Sequence, residues 1–409
     1  MDALERRALI RGLVTFVAVA LIGSTIVWLG GRTGAGSSPP TSSAGPSTTA
    51  SVPVPTPEAW LAWVPGGLPP GFGDLVSTVP DVTQATTATA DIAWMTASLD
   101  ANGDGVDQPQ PPDMIPMDTT GVDPTFAEFL PEPEVQLVQN LKPGQGILSE
   151  SEANLRGLGT GATLLFPGDQ QVDIVGTLPD ALMGAYELLV PRETGLKIGV
   201  TTERYVLFHV KPNATVTVND LIPAFRDLLP VQTPYPAVEV RAPGETQYLR
   251  ANDREMPPLF LKETFGEFEA HPNNSKPGQI AIEQRWIQDH IQSATLPVLG
   301  TIVCNSSILP MLKRAVHQIS AAGEASLITD VGQCFDQAST LHDPSGPLTP
   351  ADWGVSIQLN PSSNPPGEQP TMPKSIIQEM YKVGFGWAGN DAYPQGSLFR
   401  YRTVSAARD

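Results

Sequence analysis

The pattern of apolar and polar residues begins with one long apolar run. Residues 12–31 contain no charged side chain. About 20 such residues in a helix are enough to cross the hydrocarbon core of a bilayer, so the run predicts a transmembrane helix. Three arginines precede it, and a single one, Arg32, follows closely. This asymmetry predicts that residues 1–11 lie in the cytoplasm and that the rest of the chain lies outside.

A cleaved signal peptide is the alternative interpretation of this run, although the run is longer than the usual core of such a signal. The next segment, residues 32–57, is rich in Ser, Thr, Pro and Gly and has no apolar periodicity. Such a composition cannot bury a core, so it predicts a disordered linker that holds the folded part away from the membrane.

Residues 58–240 predict an extracytoplasmic α+β domain. Period-two alternation indicates strands at 82–95, 171–178 and 203–210, and a short apolar run indicates another at 162–166. Brief helical patterns lie between the strands, at 149–156 and 218–229. This mixture is typical of α+β folds rather than of a repeated βαβ unit.

Residues 280–409 predict a second α+β domain. Helical periodicity occurs at 282–291, at 309–322 before Gly323, and near 374–383, and the segment 326–332 has the composition of a strand. Residues 241–279 are polar, with Pro and Asn punctuation, and are interpreted as the connection between the domains. The predicted fold class is therefore α+β throughout the folded part.

Charge restricts the function classes. The formal net charge is −19 and the pI is about 4.6. A protein that binds nucleic acid needs a basic surface to neutralise phosphates, so nucleic acid is not an expected partner. The same acidic surface gives no electrostatic attraction to anionic lipid headgroups or wall polymers.

The chain has two cysteines, Cys304 and Cys334. In an oxidising compartment an isolated pair of this kind predicts a disulfide. Closing a loop of about 30 residues stabilises a fold by roughly 3–4 kcal/mol in the chain-entropy model. A metal or redox pair would need a closer spacing or additional ligands.

An acidic motif raises the question of calcium. Asp100, Asn102 and Asp104 alternate and are followed by Gly105, as at the start of a calcium-binding loop. The acid expected at the twelfth position is replaced by Pro111, and only the later Asp113 offers a substitute. The alternative is an ordinary solvated turn rich in Asp, Asn and Gly. No bound cofactor is expected, with calcium at this loop as the alternative.

A glycine motif in the first domain also has two interpretations. Gly157, Gly159 and Ala162 match a relaxed dinucleotide fingerprint, but that fingerprint requires a strand before it and a helix after it. The order here is reversed, so the glycines predict a turn.

The same region resembles a known family. The resemblance is carried by LSESEANLRGLGTG at 148–161, followed by ATLLF and QVDIVGTLPD, with a looser similarity at 75–82. These stretches look like the periplasmic domain of MacB-type ABC transporter permeases. The resemblance implies a short helix and a Leu-Gly turn that lead into a pair of strands.

The second domain resembles a different family, the VanY-type D-alanyl-D-alanine carboxypeptidases and L-alanyl-D-glutamate endopeptidases. The resemblance is carried by LTPADWGVSIQLNP at 348–361, GFGWAG at 384–389 and QGSLFRY at 395–401. The matching scaffold positions are Gly354, Asn360, Pro361, Gly384, Phe385, Trp387, Gly389 and Phe399. The resemblance implies a zinc-peptidase fold that acts on peptidoglycan stem peptides.

The chemical positions of that family are replaced in this chain. Ala351, Gln358 and Leu398 stand where the resemblance places the zinc ligands. Gln395 stands at the general base, and Gln337 lies near the arginine that polarises the scissile carbonyl. Zinc needs imidazole, thiolate or carboxylate donors, and a neutral amide cannot take a proton from water. The domain is therefore expected to be non-catalytic.

Other residues of these stretches keep two alternatives open. Displaced zinc ligands could come from His342, Asp343, Asp352 or Asp391. A retained cleft could bind a ligand through Asp352, Trp353, Trp387 and Asp391.

The expected function is that of a membrane-anchored extracytoplasmic protein that binds peptidoglycan stem peptides or an envelope protein. One alternative is an active zinc D,D-carboxypeptidase or endopeptidase with displaced ligands. Another is a sensor or accessory subunit of an envelope transporter complex.

Overall fold

A computed structural model describes residues 59–231, 236–246, 248–252, 254–273, 275, 279–337 and 348–402. All of these fall in one compact unit of the chain, residues 53–409. The expected transmembrane helix at 12–31 and the linker at 32–57 lie outside the described residues. Within the described ranges, every helix is too short or too polar to span a bilayer.

The first part of the chain is built on an eleven-stranded sheet with the order β11-β1-β10-β2-β5-β9-β6-β8-β7-β3-β4. The β5–β9 and β6–β8 pairs are parallel and the other pairs are antiparallel. The strands are β1 (Trp60–Trp63), β2 (Val82–Met95), β3 (Ala97–Leu99), β4 (Gly105–Asp107), β5 (Ile115–Val122), β6 (Gln145–Ser149), β7 (Thr163–Phe166), β8 (Gln170–Leu178), β9 (Leu188–Pro191), β10 (Glu203–Val210) and β11 (Glu239–Arg241).

Strand β2 connects the hydrophobic cores of the molecule. Ala88 and Ala90 pack in one core cluster, and Met95 packs in a second. Ile92 and Trp94 contact the core of the C-terminal part. Neighbouring residues of a strand point to opposite faces, so Met95 packs on the other face from Ala88, Ala90, Ile92 and Trp94, which contact different cores along the length of β2.

Five helices flank this sheet. They are α1 (Phe72–Val76), α2 (Glu134–Gln139), α3 (Glu150–Arg156), α4 (Arg192–Lys197) and α5 (Val218–Arg226). Helix α3 begins where the Ser149 hydroxyl accepts a hydrogen bond from Glu152 N, and it ends at Gly157 with φ of 68°. The capping serine and the left-handed glycine explain why the helix has these bounds. The glycine motif is thus a turn, as expected.

The C-terminal part contains smaller sheets and the largest core. Its helices are α6 (Pro258–Phe265), α7 (Gln284–His290), α8 (Leu309–Ala321) and α9 (Lys374–Lys382). Its strands are β12 (Ala270–Pro272), β13 (Ile280–Ile282), β14 (Ile291–Leu296), β15 (Gly300–Asn305), β16 (Ser356–Gln358), β17 (Phe385–Trp387) and β18 (Leu398–Tyr401). They pair as β12-β13, β14-β15 and β16-β18-β17.

One expectation about local structure was wrong. The segment 326–332 is not a strand: it forms a 3-10 turn at Ala325–Leu327 and then one isolated bridge between Val331 and Leu359. Side chains take the place of ladder hydrogen bonds here, because Asn360 Oδ1 accepts from Thr329 N. Helix α6 lies in the segment read as a polar connection. It starts with Pro258 in its first turn, where proline is compatible with a helix.

Candidate functional site

Strands β16 and β18 bring two of the peptidase-like positions together. Gln358 and Leu398 are direct cross-strand partners, so their side chains lie on the same face of the sheet. Gln395 lies next to this pair, because its backbone carbonyl accepts a hydrogen bond from Leu398 N. An amide and an aliphatic side chain therefore stand side by side where the resemblance would place a metal.

Ala351 and Gln337 form a second group. Asp336, next to Gln337, donates its N–H to the carbonyl of Ala351 at 3.0 Å. The same segment reaches the first group, because Gly332 N donates to Gln358 O at 2.9 Å. The five positions thus lie on adjoining segments of the C-terminal part, in two groups.

Asp352 and Trp353, expected as cleft residues, lie inside the core. Both are fully buried. The Trp353 indole donates to Gly266 O at 2.9 Å, and its ring lies 4.7 Å from that of Phe268. These contacts assign Trp353 to packing rather than to an open cleft.

The Asp352 carboxyl is an unusual member of this core. Its Oδ2 accepts hydrogen bonds from Thr349 N at 2.7 Å and from Thr349 Oγ1 at 3.2 Å. Its Oδ1 has no hydrogen-bond partner among the described residues. Burial raises the pKa of Asp352 to about 8, against the opposing effect of the Thr349 hydrogen bonds.

Trp387 and Asp391, the other two expected cleft residues, are half-buried. The Trp387 indole donates to Gly396 O at 2.8 Å. Asp391 Oδ2 accepts from Arg400 Nη1 at 2.8 Å. These two side chains are accessible enough to contact a ligand at the end of the β16-β18-β17 sheet.

The expected calcium loop connects β3 and β4. Asp100 Oδ1 accepts from Asn102 N at 2.8 Å and from Asp104 N at 2.9 Å, and these bonds lower the pKa of Asp100. One carboxylate oxygen is thereby used to form the turn. Asp113, the proposed substitute acid, lies 2.7 Å from His271 Nδ1. Calcium binding stays a prediction.

The part of the chain that the structure describes contains no group of three His, Cys, Asp or Glu side chains arranged to hold a metal ion. The proposed displaced ligands His342 and Asp343 lie outside the described residues. The expected disulfide between Cys304 and Cys334 is present, with both residues buried in the C-terminal core.

A small polar cavity, which the sequence did not indicate, lies against the large sheet. Its volume is about 30 Å³, and its lining includes Asp118, Tyr186, Arg204 and Arg250. Arg250 Nη2 donates to Asp118 Oδ2 at 3.0 Å, and its guanidinium lies 4.4 Å from the centre of the Tyr186 ring. A polar space of this kind can hold ordered water.

A second unexpected feature is a buried ionic network. Lys262 Nζ lies 2.6 Å from Glu187 Oε1 and 3.0 Å from Glu267 Oε1. Arg156 contacts Glu267 at 2.5 Å and also pairs with Glu152. The network joins α3, α6 and the residue before β9. Sequence reasoning missed it because Lys262 and Glu267 lie in the segment read as a connection.

The two central carboxyls of this network have opposite pKa shifts. Burial raises the pKa of Glu187 to about 8, with Lys262 opposing. Burial acts in the same direction on Glu267, but Arg156 and Lys262 outweigh it and lower its pKa to about 2.

No family model matches the chain, and the comparison with curated proteins gives no match. Among solved structures, the chain is similar to the periplasmic region of MacB from Actinobacillus actinomycetemcomitans. The identity is 13% and the TM-score 0.30, over 45% of this chain and 88% of that one.

Two further structures are similar. One is a domain of a putative permease protein from Porphyromonas gingivalis, with 15% identity and a TM-score of 0.27, over 47% and 91% of the two chains. The other is the extracellular domain of the noncanonic ABC-type transporter YknZ from Gram-positive bacteria, with 13% identity and a TM-score of 0.25, over 38% and 84%. The peptidase resemblance of residues 280–409 finds no support in these comparisons.

Proposed function

We propose that this chain is a non-catalytic extracytoplasmic envelope protein whose folded part binds a protein partner, as an accessory subunit of a membrane transporter complex. The observation that carries the extracytoplasmic part of the proposal is the buried disulfide between Cys304 and Cys334. Structural disulfides persist in oxidising compartments, so this bond supports a folded part outside the cytoplasm, behind the predicted helix at 12–31.

The C-terminal sheet supports a role without catalysis. Gln358 and Leu398 are cross-strand partners at positions where a zinc peptidase would need metal ligands. Neither side chain is a donor that zinc accepts in proteins. These two positions therefore support a role in contact rather than in hydrolysis.

The MacB-like stretch supports a transporter as the first partner to test. Its short helix forms as α3, with the Gly157 turn after it, and the following strands pair as the β7–β8 hairpin. These are the elements on which the sequence resemblance rests.

Affinity purification of the full chain from membranes tests the proposal. We expect a permease subunit to co-purify with the full chain. If residues 12–31 make the contact themselves, replacing them by an unrelated transmembrane helix should reduce the amount of permease recovered. If the folded part makes the contact, the amount should not change. Recovery of the chain without any permease would contradict the transporter role.

A second candidate, binding of peptidoglycan stem peptides, is favoured by the half-buried Trp387 beside Asp391. Retention of the full chain on purified peptidoglycan tests it. Metal analysis of the same preparation tests the remaining alternative, since a stoichiometric zinc would overturn the non-catalytic proposal.

A further inference from the structure

Three arginines meet at the end of the β16-β18-β17 sheet. Arg400 lies in β18, Arg402 follows it, and Arg254 comes from the loop before α6. Arg402 Nη2 donates to Arg254 O at 3.1 Å, and Arg254 Nη1 donates to Asn390 O at 2.8 Å. Such a concentration of positive charge is unexpected in a chain of net charge −19.

The Arg400 guanidinium is neutralised locally. Asp391 Oδ2 lies 2.8 Å from its Nη1, and Glu255 Oε1 lies 3.6 Å from its Nε. Burial would lower the pKa of Arg400, but Glu255 and Asp391 outweigh it and raise the pKa. Arg400 therefore pairs with both carboxylates of this cluster, which leaves little negative charge for the other two arginines.

Arg402 lies in a less favourable environment. Its side chain crosses Gly386, where a Cβ atom would come within 2.4 Å of Arg402 Nε. That Nε is buried and has no hydrogen-bond partner in the described ranges. Burial, followed by the neighbouring Arg400, lowers the pKa of Arg402. A guanidinium whose charge is opposed in this way would gain from a nearby anion.

Among the residues that the structure describes, the charged groups of the cluster leave an excess of one positive charge. Three guanidinium groups, of Arg254, Arg400 and Arg402, face the two carboxylates of Asp391 and Glu255. The Arg254 side chain is 44% exposed, so an anion can approach from solvent. One monoanionic carboxylate balances the excess, whereas a dianionic phosphate would exceed it.

The geometry points to a binding site for a single carboxylate at Arg254 and Arg402, supplied by an acidic side chain of the partner protein. This inference rests on the proposed function and names the chemistry by which the partner is recognised. Arginine suits this task because its planar fork donates two parallel hydrogen bonds to a carboxylate.

Fluorescence anisotropy of a labelled short polyglutamate peptide, with the full chain in detergent, tests the site. We expect saturable binding that acetate weakens and that the matched polyglutamine peptide does not show. Arg402→Gln should weaken binding by about tenfold or more, as expected for the loss of a charge-assisted contact. The affinity of Arg402→Lys should lie between those of Arg402→Gln and the unaltered chain, because lysine keeps the charge and lacks the planar guanidinium fork.

Arg192→Gln is the matched control. Arg192 faces two carboxylates, Asp123 at 2.8 Å and Glu203 at 3.7 Å, so it has no excess charge to offer. We expect the Arg192→Gln variant to bind the polyglutamate peptide as tightly as the unaltered chain does. Thermal unfolding of each variant separates a local effect from a loss of fold.

Three outcomes would overturn the inference: no polyglutamate binding, equal binding by the Arg402→Gln variant, or stronger competition by inorganic phosphate than by acetate. Increased binding after deletion of residues 403–409 would also overturn it, because the occupant would then be the chain's own tail. Failure of permease co-purification with intact peptide binding would refute the transporter role and leave the carboxylate site standing.

Discussion

At the scale of single residues, the buried Asp352 makes stability depend on pH. Its pKa is about 8 in the folded protein and about 4 in an unfolded chain. As the pH rises between these values, the unfolded state releases its proton first, so the folded state binds more protons and becomes less stable. The stability that this protonation contributes is fully present below about pH 4 and is lost as the pH rises to about 8.

Asp352→Asn should therefore make the fall of stability between about pH 5 and about pH 8 less steep, by up to about 1.4 kcal/mol per pH unit, the value for one proton. Denaturant unfolding of the full chain at the two pH values measures it. Burial also raises the pKa values of Glu187 and Glu269, and both groups contribute to the pH dependence of the parent chain. The difference in pH dependence between variant and parent therefore isolates Asp352. Asp330→Asn is the control, since hydrogen bonds from Ser362 lower the pKa of Asp330. An unchanged pH dependence in Asp352→Asn would refute the assignment.

Residue burial was the least predictable property. Asp352 and Trp353 have the local pattern of an accessible motif, yet Trp353 donates to Gly266, far away in the sequence. A contact of this kind depends on how distant segments pack, and no local pattern encodes it. Trp387, at the end of β17, and Asp391, which follows that strand, are both partly exposed.

At the scale of elements, one turn fixes the position of the loop that carries Arg250. Gly184 has φ of 68°, and a Cβ atom there would lie 2.2 Å from the carbonyl oxygen of Leu249. Arg250 Nη1 also donates to Gly184 O at 3.2 Å. The turn before β9 lies directly against the loop of Arg250, so position 184 requires a residue without a side chain.

Gly184→Ala should lower the free energy of unfolding by clearly more than the cost of a left-handed alanine, which is about 1–2 kcal/mol. Gly168→Ala is the matched control, since Gly168 has φ of 74° and open space around it. Denaturant unfolding of both variants gives the comparison. Equal losses would mean that the contact with Leu249 adds no constraint.

The elements themselves follow the sequence pattern where the pattern is long. The alternating run at 82–95 forms β2 with those bounds, and the amphipathic stretch near 374–383 forms α9 at Lys374–Lys382. Short segments depend on their neighbours. Residues 326–332 have strand composition, but Thr329 and Asp330 bind the loop at Asn360 and Ser362 instead. Helix α6 is missed because its prolines resemble loop punctuation.

At the scale of the whole molecule, Lys262 ties the large sheet to the C-terminal part. It is fully buried in α6, and its ammonium donates to Pro116 O of β5 at 2.6 Å while contacting Glu187 and Glu267. The same two regions share a core at β2, where Trp94 packs against the C-terminal cluster. Apolar contact and buried charge thus act at the same junction.

Lys262→Met should lower the free energy of unfolding by about 3–5 kcal/mol, because it leaves the fully buried Glu187 without the cation that pairs with it. Lys197→Met is the control: Lys197 pairs with Glu193 at 2.8 Å at the surface, and an exposed pair of this kind contributes about 0–1 kcal/mol. Calorimetry of the full chain adds a test of the junction. If Lys262 couples the two regions energetically, its loss should broaden or split the main unfolding transition. A uniform shift of a single sharp transition would mean that the apolar contacts of β2 couple them instead.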